Sequence, residues 1–141
     1  MEDLSLHVLD IMENSICAGA RSVSVRLSAD QGGDLLILEV ADDGKGMDEG
    51  ALRRALDPFY TTKEGKRFGL GLPLLAQAAE ATGGGVAVSS RPGLGTLIRA
   101  TFHLDHVDMK PLGDVGRTVA LLRAAHPDVC FSFECPDGPP P

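Results

Sequence analysis

Residues 35–47 have the sequence LLILEVADDGKGM. The first seven residues are apolar apart from Glu39, which predicts a buried strand, and the acidic pair after them enters a glycine-containing turn. An alternating segment, residues 22–28, comes before this strand across the turn signal QGGD at 31–34. Two strands connected in this way predict an antiparallel hairpin, with Asp42 at the end farthest from its turn.

Helices and a second hairpin are predicted in the flanking sequence. Apolar residues at helical spacing predict helices over residues 3–18, 48–56 and 69–82. Alternating segments at 86–90 and 96–104 predict the second hairpin. Hairpins separated by helices predict an α+β fold, a two-layer α/β sandwich whose mainly antiparallel sheet packs under helices.

The composition changes after Leu104. We expect residues 1–104 to form the main domain. Residues 105–135 are expected to extend the same domain with a helix and a strand at the edge of the sheet. The final residues 136–141, PDGPPP, are expected to be a disordered tail.

Composition excludes several classes of function. A length of 141 residues, 43% of them apolar, suits one domain with its own core. The formal net charge is −7. The chain lacks a basic stripe, so we expect no nucleic-acid partner. No apolar run approaches the ~20 residues of a membrane span, and the start MED lacks the basic residues of a signal peptide. We therefore expect a cytoplasmic protein without a membrane partner.

The first predicted helix has a polar side opposite its apolar stripe. The polar residues follow one another at spacings of three and four, which stacks them along one face; they are Asp3, His7, Asp10 and Asn14. Taken alone, this face is explained by contact with solvent.

Asp42 is a candidate ligand-binding residue. It ends a buried strand, and the glycines after it let the backbone approach a planar ligand closely. A carboxylate only accepts hydrogen bonds, so it suits the exocyclic amine of adenine and rejects the carbonyl of guanine. The alternative is an ordinary acidic turn.

The segment FGLGL at 68–72 is a candidate phosphate site. Its glycines are predicted at a helix N-terminus, where unpaired N–H groups and the helix dipole favour phosphate. The chain has neither a P-loop motif nor a G-x-G-x-x-G after its first strand. A bound nucleotide would therefore be held in another way.

Five short motifs, in order, resemble those of the GHKL ATPases, a superfamily that includes gyrase, the heat-shock chaperone ATPase, histidine kinases and MutL. Together they cover residues 3–104. They are Glu13-Asn14-Ser15, Asp42-x-Gly44-x-Gly46, PFYTTK at 58–63, Gly69-Leu70-Gly71-Leu72 and Gly95-Thr96. PFYTTK and GLGL are most similar to histidine kinases, whereas MENS at 12–15 and AGA at 18–20 are more similar to MutL. The resemblance implies the Bergerat fold, with ATP between the helices and under a lid.

The resemblance also implies roles for the matching positions. Asn14 would coordinate a Mg²⁺ ion bridging the phosphates of ATP. Asp42 would accept from the adenine amine, with Thr96 supporting the base through its hydroxyl. The other implied nucleotide-binding residues are Gly44 and Gly46 at the base, Gly69, Leu70 and Gly71 at the phosphates, and Lys63 reaching from the lid.

One position departs from the pattern of the hydrolysing branches. They carry glutamate one helical turn before the Mg²⁺ asparagine, where this chain has Asp10. Asp10 is one methylene shorter, so we expect it to act as the catalytic acid/base with slow hydrolysis.

The function implied is a stand-alone, Mg²⁺-dependent ATP-binding domain of the histidine-kinase type. It would transfer the γ-phosphoryl group to a separate partner protein, or regulate that protein. Histidine kinases carry a phosphoacceptor segment ahead of this domain, whereas in this sequence the domain starts at residue 1. The resemblance implies that the acceptor would be His, or Ser as in the anti-sigma-factor kinases. A nucleotide-gated binding module with slow or no hydrolysis and a MutL-like ATPase remain as alternatives, and the sequence is compatible with a homodimer.

Overall fold

The computed structural model describes residues 4–29, 34–56, 71–105 and 113–135. From residue 4 to residue 103, the described helices and strands lie within one or two residues of their predicted bounds, and the helix and strand expected within 105–135 are both present. They are, in chain order, α1 (Leu4–Cys17), β1 (Ser22–Ala29), β2 (Leu35–Asp42), α2 (Glu49–Leu56), α3 (Gly71–Ala81), β3 (Gly85–Arg91), β4 (Gly95–His103), α4 (Val115–Ala125) and β5 (Cys130–Glu134).

The described strands form one sheet in the order β3-β4-β2-β1-β5. The β1–β2, β2–β4 and β3–β4 pairs are antiparallel, and β5 lies parallel to β1 at the edge. The predicted α+β sandwich with a mainly antiparallel sheet is confirmed.

One face of the sheet packs against the helices. Strand residues such as Val25 and Leu38 are buried in the same apolar cluster as Met12 of α1, Leu75 of α3 and Val119 of α4. Burying one such side chain contributes about 1.5–3 kcal/mol, so this cluster supplies the main stabilisation of the domain. It also fixes α1 and α3 on the same side of the sheet, where the candidate site lies.

The other face of the sheet carries charges of alternating sign. Arg26 lies directly opposite Glu39, and Glu39 lies opposite Arg99 on the next strand. On the far side, Arg26 also lies opposite Glu134 of β5. Opposite charges at facing positions favour this register, and a charged face suits an antiparallel sheet that is covered on one side only.

His7 does not belong to a solvent-exposed face of α1. Its residue exposure is 2%, whereas Asp10 is exposed. The difference arises because α1 contacts both α3 and α4, which leaves only part of its polar side open. Expecting a solvated face was therefore wrong at His7.

Side-chain caps fix the starts of two helices. Asp48 accepts a hydrogen bond from the backbone N–H of Ala51 at 2.8 Å, and Asp114 accepts one from Arg117 at 2.9 Å. Each aspartate satisfies a backbone donor that the first helical turn leaves unpaired. No helix in the described ranges is both long enough and apolar enough to cross a bilayer.

Candidate functional site

A cavity of about 290 Å³ lies between α1, α2, α3 and the end of the sheet. This volume is at the small end of the range for small-molecule sites, and such sites combine apolar walls with a few polar groups. The apolar part of the lining is Ile11, Met47, Ala51, Ala55, Leu72 and Ile98. The polar part includes Asn14, Ser15, Asp42, Lys45, Arg54 and Thr96.

The Asp42 carboxylate is held in place by two hydrogen bonds. Its Oδ2 accepts from the Ser15 hydroxyl at 2.6 Å, and its Oδ1 accepts from the backbone N–H of Gly44 at 2.9 Å. Each carboxylate oxygen can accept more than one hydrogen bond, so both keep capacity for a ligand. Asp42 thus presents an oriented acceptor to the cavity.

Thr96 lies next to Asp42 on the same face of the sheet. The two residues are directly opposite each other in the β2–β4 ladder, and Thr96 is also directly opposite Ser90 in the β3–β4 ladder. Side chains at facing positions have Cβ atoms about 4.5–5.5 Å apart. The Asp42 carboxylate and the Thr96 hydroxyl can therefore contact one edge of the same ligand.

Glycines let the loop after β2 pack directly on the β3–β4 turn. Gly46 (φ +70) and Gly95 (φ +105) both have a backbone conformation that L side chains rarely adopt. A Cβ on Gly46 would collide with the Arg91 carbonyl, and one on Gly95 would collide with the Asp42 carbonyl. This wall of the cavity consequently depends on close contact between two backbone segments.

The same loop is attached to the end of α1 and the start of β1. Its Lys45 N–H donates to the Ala18 carbonyl at 2.9 Å, and a Cβ on Gly44 would lie 3.1 Å from the Ala18 Cβ. Asp43 accepts from the N–H groups of Ser22 and Arg21, and these bonds lower the pKa of its carboxyl. Asp43 therefore fixes the loop, while Asp42 faces the cavity.

Asn14 and Asp10 occupy successive turns of α1. Asn14 is half-buried and lines the cavity, whereas Asp10 is exposed and is not among the described lining residues. The Asn14 side-chain oxygen is a hard ligand of the type Mg²⁺ prefers. No group of three His, Cys, Asp or Glu side chains in the described part of the chain could hold a metal ion. Asn14 could thus supply one oxygen ligand to a Mg²⁺ ion.

Several predicted site residues cannot be located. Lys63, Gly69 and Leu70 lie outside the described residues, as does the predicted lid, residues 61–68. Gly71 is the first residue of α3, and its neighbour Leu72 lines the cavity. The described part of the GLGL segment thus lies at the start of a helix beside the cavity.

Several contributors to the site were not identified as site residues from the sequence, among them Ser15, Ser90, Met47 and Ile98. Ser15 was part of a motif, and its position one residue after Asn14, about 100° around the helix, could have indicated contact with the sheet. Ser90 contacts Thr96 through the strand register, which sequence spacing does not reveal. Met47 and Ile98 supply apolar walls that look in the sequence like ordinary core positions.

The sequence of residues 2–106 matches the family described as histidine kinase-, DNA gyrase B-, and HSP90-like ATPase. This match covers well over half of the chain and includes every residue of the described cavity wall. The chain belongs to this family of ATPases.

Several bacterial proteins are similar to this chain, among them a nitrogen regulation protein and two kinases. The chain is 34% identical over 88 residues to the nitrogen regulation protein NtrY of Azorhizobium caulinodans, covering 62% of this chain and 11% of that protein. It is 38% identical over 73 residues to the sensor histidine kinase YxdK of Bacillus subtilis, and the match covers 49% of this chain and 22% of that protein. It is 30% identical over 96 residues to sporulation kinase C of Bacillus subtilis, and the match covers 68% of this chain and 22% of that protein. The matched region is therefore a small part of each relative.

Proposed function

We propose that the chain is a Mg²⁺-dependent ATP-binding domain of the histidine-kinase type that transfers the γ-phosphoryl group to a separate partner protein. The observation that carries the proposal is the Asp42 carboxylate, oriented by Ser15 and Gly44 on the wall of an apolar cavity. An adenine amine would donate to this carboxylate, and the apolar lining would contact the faces of the base. A guanine carbonyl at the same point would face a second acceptor, which costs binding energy.

The proposed phosphate-binding groups lie on α1 and at the start of α3. Asn14 would bind Mg²⁺, whose charge offsets that of the phosphates, and the N-terminal end of α3 at Gly71 would supply N–H donors. The predicted roles of Lys63, Gly69 and Leu70 at the phosphates remain part of the proposal.

Transfer requires the chain to hold ATP in line with a nucleophile on the partner. The partner's His nitrogen or Ser oxygen forms a bond to the γ-phosphorus as the bond to the β-γ bridging oxygen breaks, and ADP leaves. The chain would thus act by positioning ATP, and it would form no covalent bond to the phosphoryl group itself. The names of the similar proteins YxdK and sporulation kinase C, a histidine kinase and a kinase, support this choice.

A second function, a nucleotide-gated module with slow hydrolysis, is favoured by one observation. Asp10 is short, exposed and outside the described cavity wall, which is a poor arrangement for activating water. In this case ATP would change how the chain binds its partner, and no phosphate would be transferred.

One experiment separates these functions. The chain is incubated with γ-labelled ATP, Mg²⁺ and, one at a time, the proteins encoded by neighbouring genes, with Asp42→Asn as the matched control. Label on a partner in the wild type but not in the control supports transfer; acid-labile label indicates His and acid-stable label indicates Ser. ATP binding with ATP-dependent partner affinity and no label supports the gated module. Absence of ATP binding in calorimetry overturns both functions.

A further inference from the structure

Ser90 lies behind the cavity wall and contacts three of its parts. Its hydroxyl oxygen is 2.8 Å from the Met47 backbone nitrogen, 3.0 Å from the Gly95 carbonyl oxygen and 2.8 Å from the Thr96 hydroxyl oxygen. Ser90 does not line the 290 Å³ cavity, although it lines a second pocket together with Asp42 and Thr96. Its effect on a ligand in the 290 Å³ cavity therefore passes through Met47, Gly95 or Thr96.

Only one arrangement of protons satisfies all three contacts. The Ser90 hydroxyl has one proton, and the Gly95 carbonyl can only accept, so this proton lies on the Ser90–Gly95 bond. The Met47 N–H donates to the Ser90 oxygen. The Thr96 hydroxyl must then donate to Ser90 as well, because Ser90 has no second proton to give.

This arrangement determines what Thr96 can offer to a ligand. Since its single proton is directed at Ser90, Thr96 presents only lone pairs to the cavity it lines. The facing residue Asp42 is a carboxylate and also presents only acceptors. The polar wall formed by Asp42 and Thr96 is therefore an acceptor-only wall.

We propose that Ser90 is a positioning residue that sets the purine selectivity of the pocket by holding the Thr96 hydroxyl proton. This inference rests on the proposed ATP-binding function. We place the C6 substituent of the base against both Asp42 and Thr96. The adenine amine then satisfies the acceptor-only wall, whereas the O6 of hypoxanthine or guanine sets an acceptor against it. If Ser90 is removed, Thr96 can turn its proton toward the cavity and donate to O6, so the penalty on O6 falls.

Ser90 also supports the wall mechanically, and the test must separate this role from selectivity. Loss of the Met47–Ser90 bond would loosen the loop after β2 and weaken all nucleotides alike. A change in the ratio of two affinities does not follow from such loosening. We therefore choose the ratio of ATP to ITP affinity as the readout, because ITP differs from ATP only in the substituent at C6 and the proton at N1.

The experiment compares calorimetric Kd values for MgATP and MgITP in wild type, Ser90→Ala and Ser90→Thr. Ser89→Ala is the matched control, since Ser89 is the exposed neighbour on the other face of β3. We expect the preference for ATP over ITP to fall roughly 5-fold or more in Ser90→Ala, to be retained in Ser90→Thr and to be unchanged in Ser89→Ala. Thermal melts check that each variant is folded.

If Ser90→Ala does not fold, Thr96→Val tests the other half of the inference by removing the hydroxyl that Ser90 is proposed to orient. We expect it to reduce the ATP preference, because the lone pairs that oppose O6 are gone. Equal weakening of ATP and ITP in Ser90→Ala, failure of Ser90→Thr to restore the ratio, or an unchanged ratio in Thr96→Val overturns the inference. A wild type that binds neither nucleotide overturns the proposed function itself, which is a distinct result.

Discussion

The Ser15 hydroxyl donates to the Asp42 carboxylate across the gap between α1 and the end of β2, with an oxygen–oxygen distance of 2.6 Å. This bond joins the helix that carries Asn14 to the strand that carries the proposed adenine acceptor. The orientations of the proposed metal ligand Asn14 and the proposed adenine acceptor Asp42 are thereby coupled.

We predict that Ser15 and Asp42 act together on ATP affinity. Asp42→Asn should weaken binding by ~1–3 kcal/mol, or roughly 5- to 150-fold, because an amide is presented where an acceptor is needed. Ser15→Ala should weaken it by about 1 kcal/mol, and the double variant should lose less than the sum. Calorimetry checks this, with Ser24→Ala on the other sheet face as control. Strict additivity would show that Ser15 does not act through Asp42.

Asn14 should make nucleotide binding depend on metal. ATP should bind the wild type more tightly with Mg²⁺ than with EDTA, and Asn14→Ala should reduce that difference about 5-fold or more. The adjacent exposed Glu13 provides a control, since Glu13→Gln should leave the metal dependence unchanged. Equal ATP affinity with Mg²⁺ and EDTA, unaffected by Asn14→Ala, would remove Asn14 from the metal site.

Hydrolysis by the chain alone should be slow, well below the ~10 s⁻¹ typical of enzymes. If Asp10 is the base, its short side chain would position water poorly, so Asp10→Glu should raise the rate and Asp10→Asn should lower it further. Phosphate release measured at saturating MgATP tests both variants. A fast wild-type rate that Asp10→Asn does not change would mean that another group is the base.

Two glycines of the β3–β4 turn should respond differently to substitution by alanine. Gly95→Ala adds a Cβ that collides with the Asp42 carbonyl and forces an L residue to φ +105, so we expect a loss of ~2 kcal/mol or more. Gly93 also has positive φ, at +80, but a Cβ there meets nothing within 4 Å, so Gly93→Ala should cost only about 1 kcal/mol. Urea unfolding measures both losses, and equal losses would contradict the close approach of Gly95 to Asp42.

Asp43 should contribute stability that disappears in acid. Backbone N–H groups of Ser22 and Arg21 hold its pKa below the ordinary value of 3.8, so around this pH the unfolded chain binds more protons than the folded one. The contribution is thus complete above the unfolded pKa and is lost as the pH falls through the folded pKa. Asp43→Asn should cost more stability at pH 7 than at pH 3 in urea unfolding. An equal cost at both pH values would contradict this assignment.

The elements of the fold could be predicted because each carries a local signal. The apolar run before Asp42 and the alternation over β1 predicted the first hairpin, and helical spacing predicted α1. The parallel direction of β5 beside β1 has no local signal, since the two strands are more than 100 residues apart in the chain. The division into residues 1–104 and 105–135 remains a prediction.

The candidate site divides in the same way. Asp42, Asn14 and Thr96 could be proposed from motifs, and the structure brings all three to one cavity. The contacts that orient these three residues could not be predicted from motifs. Ser15 reaches Asp42, and Ser90 reaches Thr96, only after α1 and β3 have packed against other elements. Motif spacing identifies groups that touch a ligand, whereas their supports follow from tertiary packing.

The pairing of β5 with β1 determines how long the edge of β1 stays exposed during translation and which shorter fragments of the chain keep that edge covered. During translation β1 emerges more than 100 residues before the strand that covers its edge, so that edge remains open to other nascent chains until β5 leaves the ribosome. A fragment cut at the family boundary, residue 106, would keep the edge of β1 open permanently. It would also remove Val115, Val119 and Phe131 from the apolar cluster. Expression of this domain should therefore extend through Glu134, beyond the point at which family similarity ends.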